Sequence, residues 1–380
     1  MNVPAAPDLS RRLRELAGRP HPDLFEGALL VSALIDPAED LDAARRAVAS
    51  LARRVRRQAG GVPEAAHEAL RRVLFAEEGF RGDEERYDDP ANSSVARVIA
   101  RRRGLPITLS IATMEVGRLA GLRLTGIGLP GHFVVGGPDL PEGAFLDPFD
   151  GGRMYDAEGL AQRVGGILGS PVELDADVLA ADPPRAILAR VLLNLRRSLE
   201  RRGHWEMALG ALDLSEALEP DNPGLQRERG LVLLKCGRTE EAVFALETYT
   251  AGSEGDDAEA VRKLLKAVRD REGEEMARDE AAERKIFTLE EARALLPRVR
   301  ALTEEAVARY ARLGDRLEPE RQSILRDWAR DVQALGAEIK GPWLVDFDSG
   351  AGYYCWKYPE PALDHFHGYE EGFAGRLSLQ

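Results

Sequence analysis

Four residues near the C-terminus are of types that bind metals: Asp346, Cys355, His365 and His367. Their spacings match no zinc pattern such as Cys-x2-Cys or His-x3-His, so no metal site is expected. Within that expectation His365 and His367 stay as metal-ligand candidates, because two residues apart on a predicted strand they point the same way. In the first half, the residues able to do chemistry are His132, in Pro130-Gly131-His132-Phe133, and Asp147, in Asp147-Pro148-Phe149. Such a pair either satisfies a buried strand junction or contacts a ligand. The nearby hydroxyls are Thr108 and Ser110, in Gly104-Leu105-Pro106-Ile107-Thr108-Leu109-Ser110. The only sulfur nucleophiles, Cys236 and Cys355, lie far downstream.

The elements that must position His132 and Asp147 are a helix and a small sheet. Pro106 suits a first helical position, where its missing N–H would be unpaired anyway and its φ is already helical. From Ile107 to Leu119 apolar residues fall on nearly every face, as in a helix enclosed by other elements, and Gly121 ends it. Leu122 to Leu129, Phe133 to Val135 and Ala144 to Leu146 read as short strands bounded by Gly and Pro. After a turn at Gly151-Gly152 comes a further strand through Tyr155, and then Asp156 reads as the N-cap of a helix to Val164. Upstream, helices are expected over Leu9 to Leu16, Pro22 to Ile35, Asp42 to Gln58, and from Pro63 to near Gly79. They would cap the central helix.

This arrangement over roughly the first 170 residues resembles the transglutaminase-like papain fold, in particular the bacterial SirB-type family. The motifs that carry the resemblance are Gly-Leu-Pro-Ile-Thr-Leu-Ser, Pro-Gly-His-Phe, Leu-Asp-Pro-Phe-Asp-Gly-Gly and, upstream, Tyr87-Asp88-Asp89-Pro90-Ala91-Asn92-Ser93. In enzymes of the broader fold a Cys opens the central helix, and a His and an Asp follow on adjacent strands. The resemblance therefore implies that His132 and Asp147 stand at the catalytic His and Asp, and that the nucleophile's place falls on Pro106. Thiol acyl transfer needs a thiolate, and none is available there. Thr108 or Ser110 could substitute, but a hydroxyl needs a stronger base arrangement and both lie inside the helix. Asn92 and Arg153 are the further candidates for ligand contacts.

A chain of 380 residues is too long for one ordinary core. Its 44% hydrophobic and 31% charged residues are those of a folded globular protein. A net charge of −13 argues against a nucleic-acid or anionic-membrane partner. The basic runs 53–57 and 101–103 read as solvated, ion-paired helix faces. Two cysteines make no disulfide framework, the first twenty residues hold no apolar signal core, and no run is apolar enough to span a bilayer. A cytoplasmic location is the expectation, with no cofactor.

Asp182-Pro183-Pro184 marks a boundary, after which the chain repeats itself. Leu199, Gly203, Ala208 and Ala211 recur as Leu233, Gly237, Ala242 and Ala245 at an offset of 34 (237 − 203), the period of tetratricopeptide repeats. Gly and Ala there would let paired helices approach closely. Helices are expected over Ile187 to Arg201, Trp205 to Leu218, Leu225 to Lys235 and Thr239 to Tyr249, with a capping helix over Ala258 to Arg269. Two repeats fall below the roughly three needed alone, so they should lean on the first domain. The charged stretch from Gly252 to Lys285 reads as a solvated helix or linker.

Thr288-Leu289-Glu290-Glu291 is a capping box that starts a helix, which Pro297 should kink. Gly314 and Pro319 mark a turn into an antiparallel helix over Glu320 to Leu335. Trp343 to Phe347 and Tyr353 to Trp356 read as a hairpin, with a third extended piece at Leu363 to His367. This end resembles a bacterial family of unknown function, DUF2203, through Phe287 to Ala292, Leu344 to Phe347, Tyr354 to Trp356, Phe366-His367 and Gly372 to Arg376. An Arg376–Asp346 ion pair would fix the tail, and Cys355 between aromatics reads as core.

The expected fold class is α+β and mainly helical, in four parts: a transglutaminase-like domain (1–180), tetratricopeptide-type repeats with a cap (183–270), a charged linker or helix (271–284) and a C-terminal domain (285–380). The expected function is a non-catalytic protein-binding or scaffold module that takes a protein or peptide partner. The competing reading is a hydrolase or acyl-transferase using His132 and Asp147 with Ser110, Thr108 or a water.

Overall fold

The computed structural model describes residues 6–62, 65–283, 285–313 and 318–379. They form two compact units, Met1–Lys266 and Ala267–Gln380. The first unit opens with α1 (Ala6–Ala17), α2 (Leu24–Ile35), α3 (Leu41–Ala59) and α4 (Ala66–Arg71), the last running into a π-helical turn, Arg72–Glu77. The expected start at Pro63 lies outside the described residues. Asp23 and Asp40 cap α2 and α3, each accepting a backbone N–H of the first turn. Next come β1 (Arg81–Gly82), a 3-10 turn at Pro90–Ser93, α5 (Val95–Arg101), β2 (Arg103–Gly104) and α6 (Pro106–Ala120). The basic run 101–103 was expected on a helix, but α5 ends at Arg101, with Arg102 as its C-cap and Arg103 already in β2. The seven residues of α5 are too few to show a period, and Ser94 caps its start by accepting the Arg97 N–H.

Helix α6 has the expected bounds, with Pro106 at its first position and Gly121 closing it in the left-handed conformation at φ 99°. Every residue from Pro106 to Gly117 is buried. Against it lies an antiparallel meander, β3 (Thr125–Leu129), β4 (His132–Gly136), β5 (Phe145–Asp147) and β6 (Arg153–Tyr155), followed by α7 (Ala157–Leu168) with Asp156 as its N-cap.

The repeats are α8 (Pro184–Arg201), α9 (Trp205–Leu218), α10 (Gly224–Lys235) and α11 (Thr239–Ala251), capped by α12 (Asp256–Glu283), which runs on through the expected linker. Their alanines behave as expected: Ala208, Ala211, Ala242 and Ala245 are buried between helices. The paired glycines do not. Gly203 and Gly237 sit in the turns at φ 72° and 74°, and a Cβ on Gly237 would meet open space, so they are there for left-handed backbone rather than close approach. Close approach is the role of Gly27 instead, where a Cβ would come within 2.5 Å of Leu188. That contact belongs to one continuous apolar core joining α1 to α6, the sheet and the repeat helices, so the short array leans on the transglutaminase-like part.

Within the basic runs, Arg54 pairs with Glu77 and Glu78, Arg102 also pairs with Glu78, and Arg103 donates to the Gly79 and Arg102 carbonyls instead. Arg101 departs from a solvated face, since its Nε is buried and its Nη2 bonds Asn92.

The second unit holds α13 (Leu289–Ala311), α14 (Glu318–Gln333) and an antiparallel sheet in sequence order, β7 (Glu338–Gly341), β8 (Leu344–Asp348), β9 (Tyr353–Lys357), β10 (His365–His367) and β11 (Leu377–Ser378). The capping box at Thr288 and Glu291 is formed, and Pro297 lies inside α13. Gly314, of the expected turn, lies outside the described residues. Strand alternation puts Val345, Phe347 and Trp356 on the face that packs on the two helices.

Candidate functional site

His132 opens β4 and Asp147 closes β5. The sheet brings them together: His132 Nε2 lies 2.8 Å from Asp147 Oδ2, with both side chains buried. Asp147 Oδ1 accepts the backbone N–H groups of Phe149 at 2.9 Å and Asp150 at 3.2 Å. A carboxylate held this way accepts from the ring, so Nε2 carries the hydrogen and Nδ1 of the neutral imidazole is left with its lone pair. Arg163 adds a positive charge, its Nε 3.7 Å from Asp147 Oδ2.

The surroundings come from elements that sequence reasoning did not connect. Phe149 stands edge-on to the imidazole with ring centres 6.1 Å apart, and Tyr87 stands edge-on to Phe149. Gly82 permits this, because a Cβ there would fall 2.5 Å from the Phe149 ring. From the first repeat helix, Arg190 donates to the carbonyls of Leu129 and His132, the latter at 2.7 Å. Burial pulls the Arg190 guanidinium below its ordinary value. An isolated Arg on a repeat helix carries no sequence signal for such a role.

The other candidates are placed as follows. The Thr108 hydroxyl donates to the Asn92 carbonyl at 2.8 Å and accepts the Leu105 N–H at 3.1 Å, which makes it a cap for α6. Ser110 Oγ is fully buried and, among the described residues, hydrogen-bonds nothing. Asn92 is buried, with its amide donating to the Arg86 and Tyr87 carbonyls and its oxygen accepting from Arg101. It pins the loop ahead of α5. Arg153 is exposed and lies over the Tyr155 ring at 5.1 Å. Among the described residues, no hydroxyl or thiol hydrogen-bonds His132. Cavities of about 690 and 570 Å3 open elsewhere, the first beside Val55, His67, Leu122 and Asp139, the second beside Phe25, Met114 and Thr125. Neither is lined by His132 or Asp147.

In the second unit His367 Nε2 lies 3.2 Å from Asp346 Oδ2, while His365 Nδ1 lies 3.9 Å from Glu360 Oε2. The expected Arg376–Asp346 pair is replaced by Arg376–Glu360 at 2.8 Å, because Asp346 is turned to the histidine. Cys355 is buried as expected but lies on the polar face of the sheet, outside the apolar cluster.

A UPF0162 protein of Vibrio cholerae is 30% identical over 223 residues, 56% of this chain and 81% of the relative. The chain belongs to the UPF0162 family. A UPF0162 protein of Xylella fastidiosa is 39% identical over 184 residues, 48% of this chain, and the chain spans 66% of that relative's length. The mouse F-box only protein 21 is 28% identical over 188 residues, 47% of this chain and 29% of its own. Family models match residues 42–193 as transglutaminase-like superfamily, 195–266 as tetratricopeptide repeat and 315–379 as uncharacterized conserved protein DUF2203. No solved structure matches. The three resemblances read from the motifs, and the mainly helical α+β class, thus hold. Among the described residues, no helix is long and apolar enough to cross a membrane.

Proposed function

We propose that this UPF0162 chain is a non-catalytic, protein-binding or scaffold module in which a transglutaminase-like fold keeps its His–Asp pair without a nucleophile. The observation that carries this reading is the isolation of His132. Its side chain is 2% exposed, among the described residues its one side-chain hydrogen bond goes to Asp147, and the helix start that should supply sulfur is Pro106. Thr108 is occupied as a cap and Ser110 is sealed inside α6. A scaffold can outlive the chemistry once grafted on it.

Binding to a partner falls to the exposed surface of the repeats, a type of array that takes extended peptides or helices. Phe244 of α11, 73% exposed, is the large apolar side chain it offers. The test has two arms. Wild type and His132→Ala are compared on peptide amide and thioester substrates, and both are expected at the uncatalysed rate. A loss of about 100-fold or more on removing the imidazole, the scale of general acid–base catalysis, would establish the hydrolase or acyl-transferase instead. In the second arm, a partner cross-linked to the tagged full chain should be lost with Phe244→Asp.

A further inference from the structure

Polar residues on the second face of the C-terminal sheet are arranged unlike a solvated surface. Strands β8, β9 and β10 lie side by side with Asp346 opposite Cys355, and Tyr353 opposite both Asp348 and His367. Alternation therefore sets Asp346, Cys355 and His367 on the face away from Val345 and Trp356. Asp346 is 1% exposed, Cys355 0% and His367 4%. One oxygen, one sulfur and one nitrogen of these three lie within 4.8 Å of one another. Ligand atoms bound tetrahedrally at 2.0–2.3 Å sit about 3.3–3.8 Å apart, so the triangle is close to what one ion would draw in.

Proton bookkeeping points the same way. His367 Nδ1 is 2.9 Å from the Gly368 carbonyl, which can only accept, so Nδ1 carries the hydrogen. In the neutral ring Nε2 then presents its lone pair to Asp346 Oδ2 at 3.2 Å, acceptor against acceptor. The other carboxylate oxygen, Asp346 Oδ1, is buried with no hydrogen-bond partner among the described residues. Either a shared proton or a metal ion must lie between them. A backbone carbonyl fixing the far nitrogen of an imidazole is also the arrangement that orients metal-ligating histidines.

We propose that Asp346 through a carboxylate oxygen, Cys355 through Sγ and His367 through Nε2 bind one divalent transition-metal ion of the zinc class. A mixed nitrogen, oxygen and sulfur set suits this borderline ion, and three protein ligands leave a fourth position for water or a substrate atom. The charges close: a dication offsets the carboxylate and the thiolate, while Arg376, 3.9 Å from the sulfur, is offset by Glu360. A thiol binds a metal as the thiolate, so the ion displaces the Cys355 proton when it binds. Zinc motifs in sequence are short-range spacings, and this set comes from three strands.

The experiment uses the untagged full chain purified without chelator. Elemental analysis should find about one zinc per chain. After stripping, Co²⁺ should give a sulfur-to-cobalt charge-transfer band that persists in Cys236→Ser and disappears in Cys355→Ser. His365→Ala, outside the triangle, should keep the metal. If Cys355→Ser fails to fold, the Cys236→Ser protein decides, because Cys355 is then its only thiol. The proposal is overturned by metal below about a tenth of an equivalent with no cobalt band on titration, or by a band unchanged in Cys355→Ser. Either result would leave one proton shared by the His367–Asp346 pair instead.

Discussion

Arg190, on the first repeat helix, donates a 2.7 Å hydrogen bond to the main-chain carbonyl of His132. The same guanidinium nitrogen reaches the Leu129 carbonyl, so one side chain closes both ends of the β3–β4 turn. The repeats therefore hold the strand that carries the imidazole. Replacing Arg190 with Met keeps the stem and removes the donor. Chemical denaturation should show a loss of about 1–3 kcal/mol, the cost of buried carbonyls left without a partner. An unchanged midpoint would mean water replaces the guanidinium at no cost.

Asp147 sets which imidazole nitrogen carries the proton, because its Oδ2 accepts from Nε2 while its Oδ1 is held by two backbone N–H groups. In Asp147→Asn the amide must turn either an oxygen or an NH2 toward the ring. Nitrogen-15 spectra should then show His132 changing from the Nε2–H tautomer toward a mixture. A wild-type spectrum already dominated by Nδ1–H would refute the assignment.

Pro106 is the start of α6, where a sulfur would feel the helix N-terminus, and the transglutaminase-like resemblance sets the imidazole of His132 beside that position. In Pro106→Cys with Cys236→Ser, the new thiol should react with iodoacetamide well below the usual thiol pKa of about 8.5. Adding His132→Ala should raise that apparent value. Equal reactivity with and without the imidazole would show that the scaffold no longer aligns the two positions.

Thr303 accepts the Trp328 indole N–H at 3.0 Å inside the helical hairpin of the second unit, with both residues buried. Thr303→Val is nearly isosteric and leaves the indole unpaired, at a cost of about 1–3 kcal/mol. Tryptophan fluorescence reports on this unit, since Trp328, Trp343 and Trp356 belong to it and only Trp205 to the other. Its unfolding midpoint should fall while the far-ultraviolet signal of the repeats does not.

Glu78 is held below the usual carboxylate range first by its hydrogen bond to Arg54 and further by Arg102. A carboxylate with a lowered folded-state pKa stabilises the fold above its ordinary value of 4.5 and loses that contribution as pH falls through the folded value. Glu78→Gln should therefore cost about 1 kcal/mol at neutral pH, and the difference from wild type should shrink below pH 4.5. A difference independent of pH would assign the effect to packing.

Much of the fold was legible because its causes are local. Pro106 and Gly121 delimit α6, Asp156 and Thr288 start their helices, and the 34-residue offset exposes the repeats, since each signal is carried by neighbours in the chain. The residues that could do chemistry were equally readable by type, including the absence of any thiol before Cys236. Tertiary structure alone decided which of them meet. It capped α6 with Thr108, shut Ser110 away, tied Asn92 into a loop and left Arg153 in solvent. It also chose His367 over His365 to face Asp346. Strand register and burial fix those outcomes, and both arise from contacts between distant segments that no local pattern encodes.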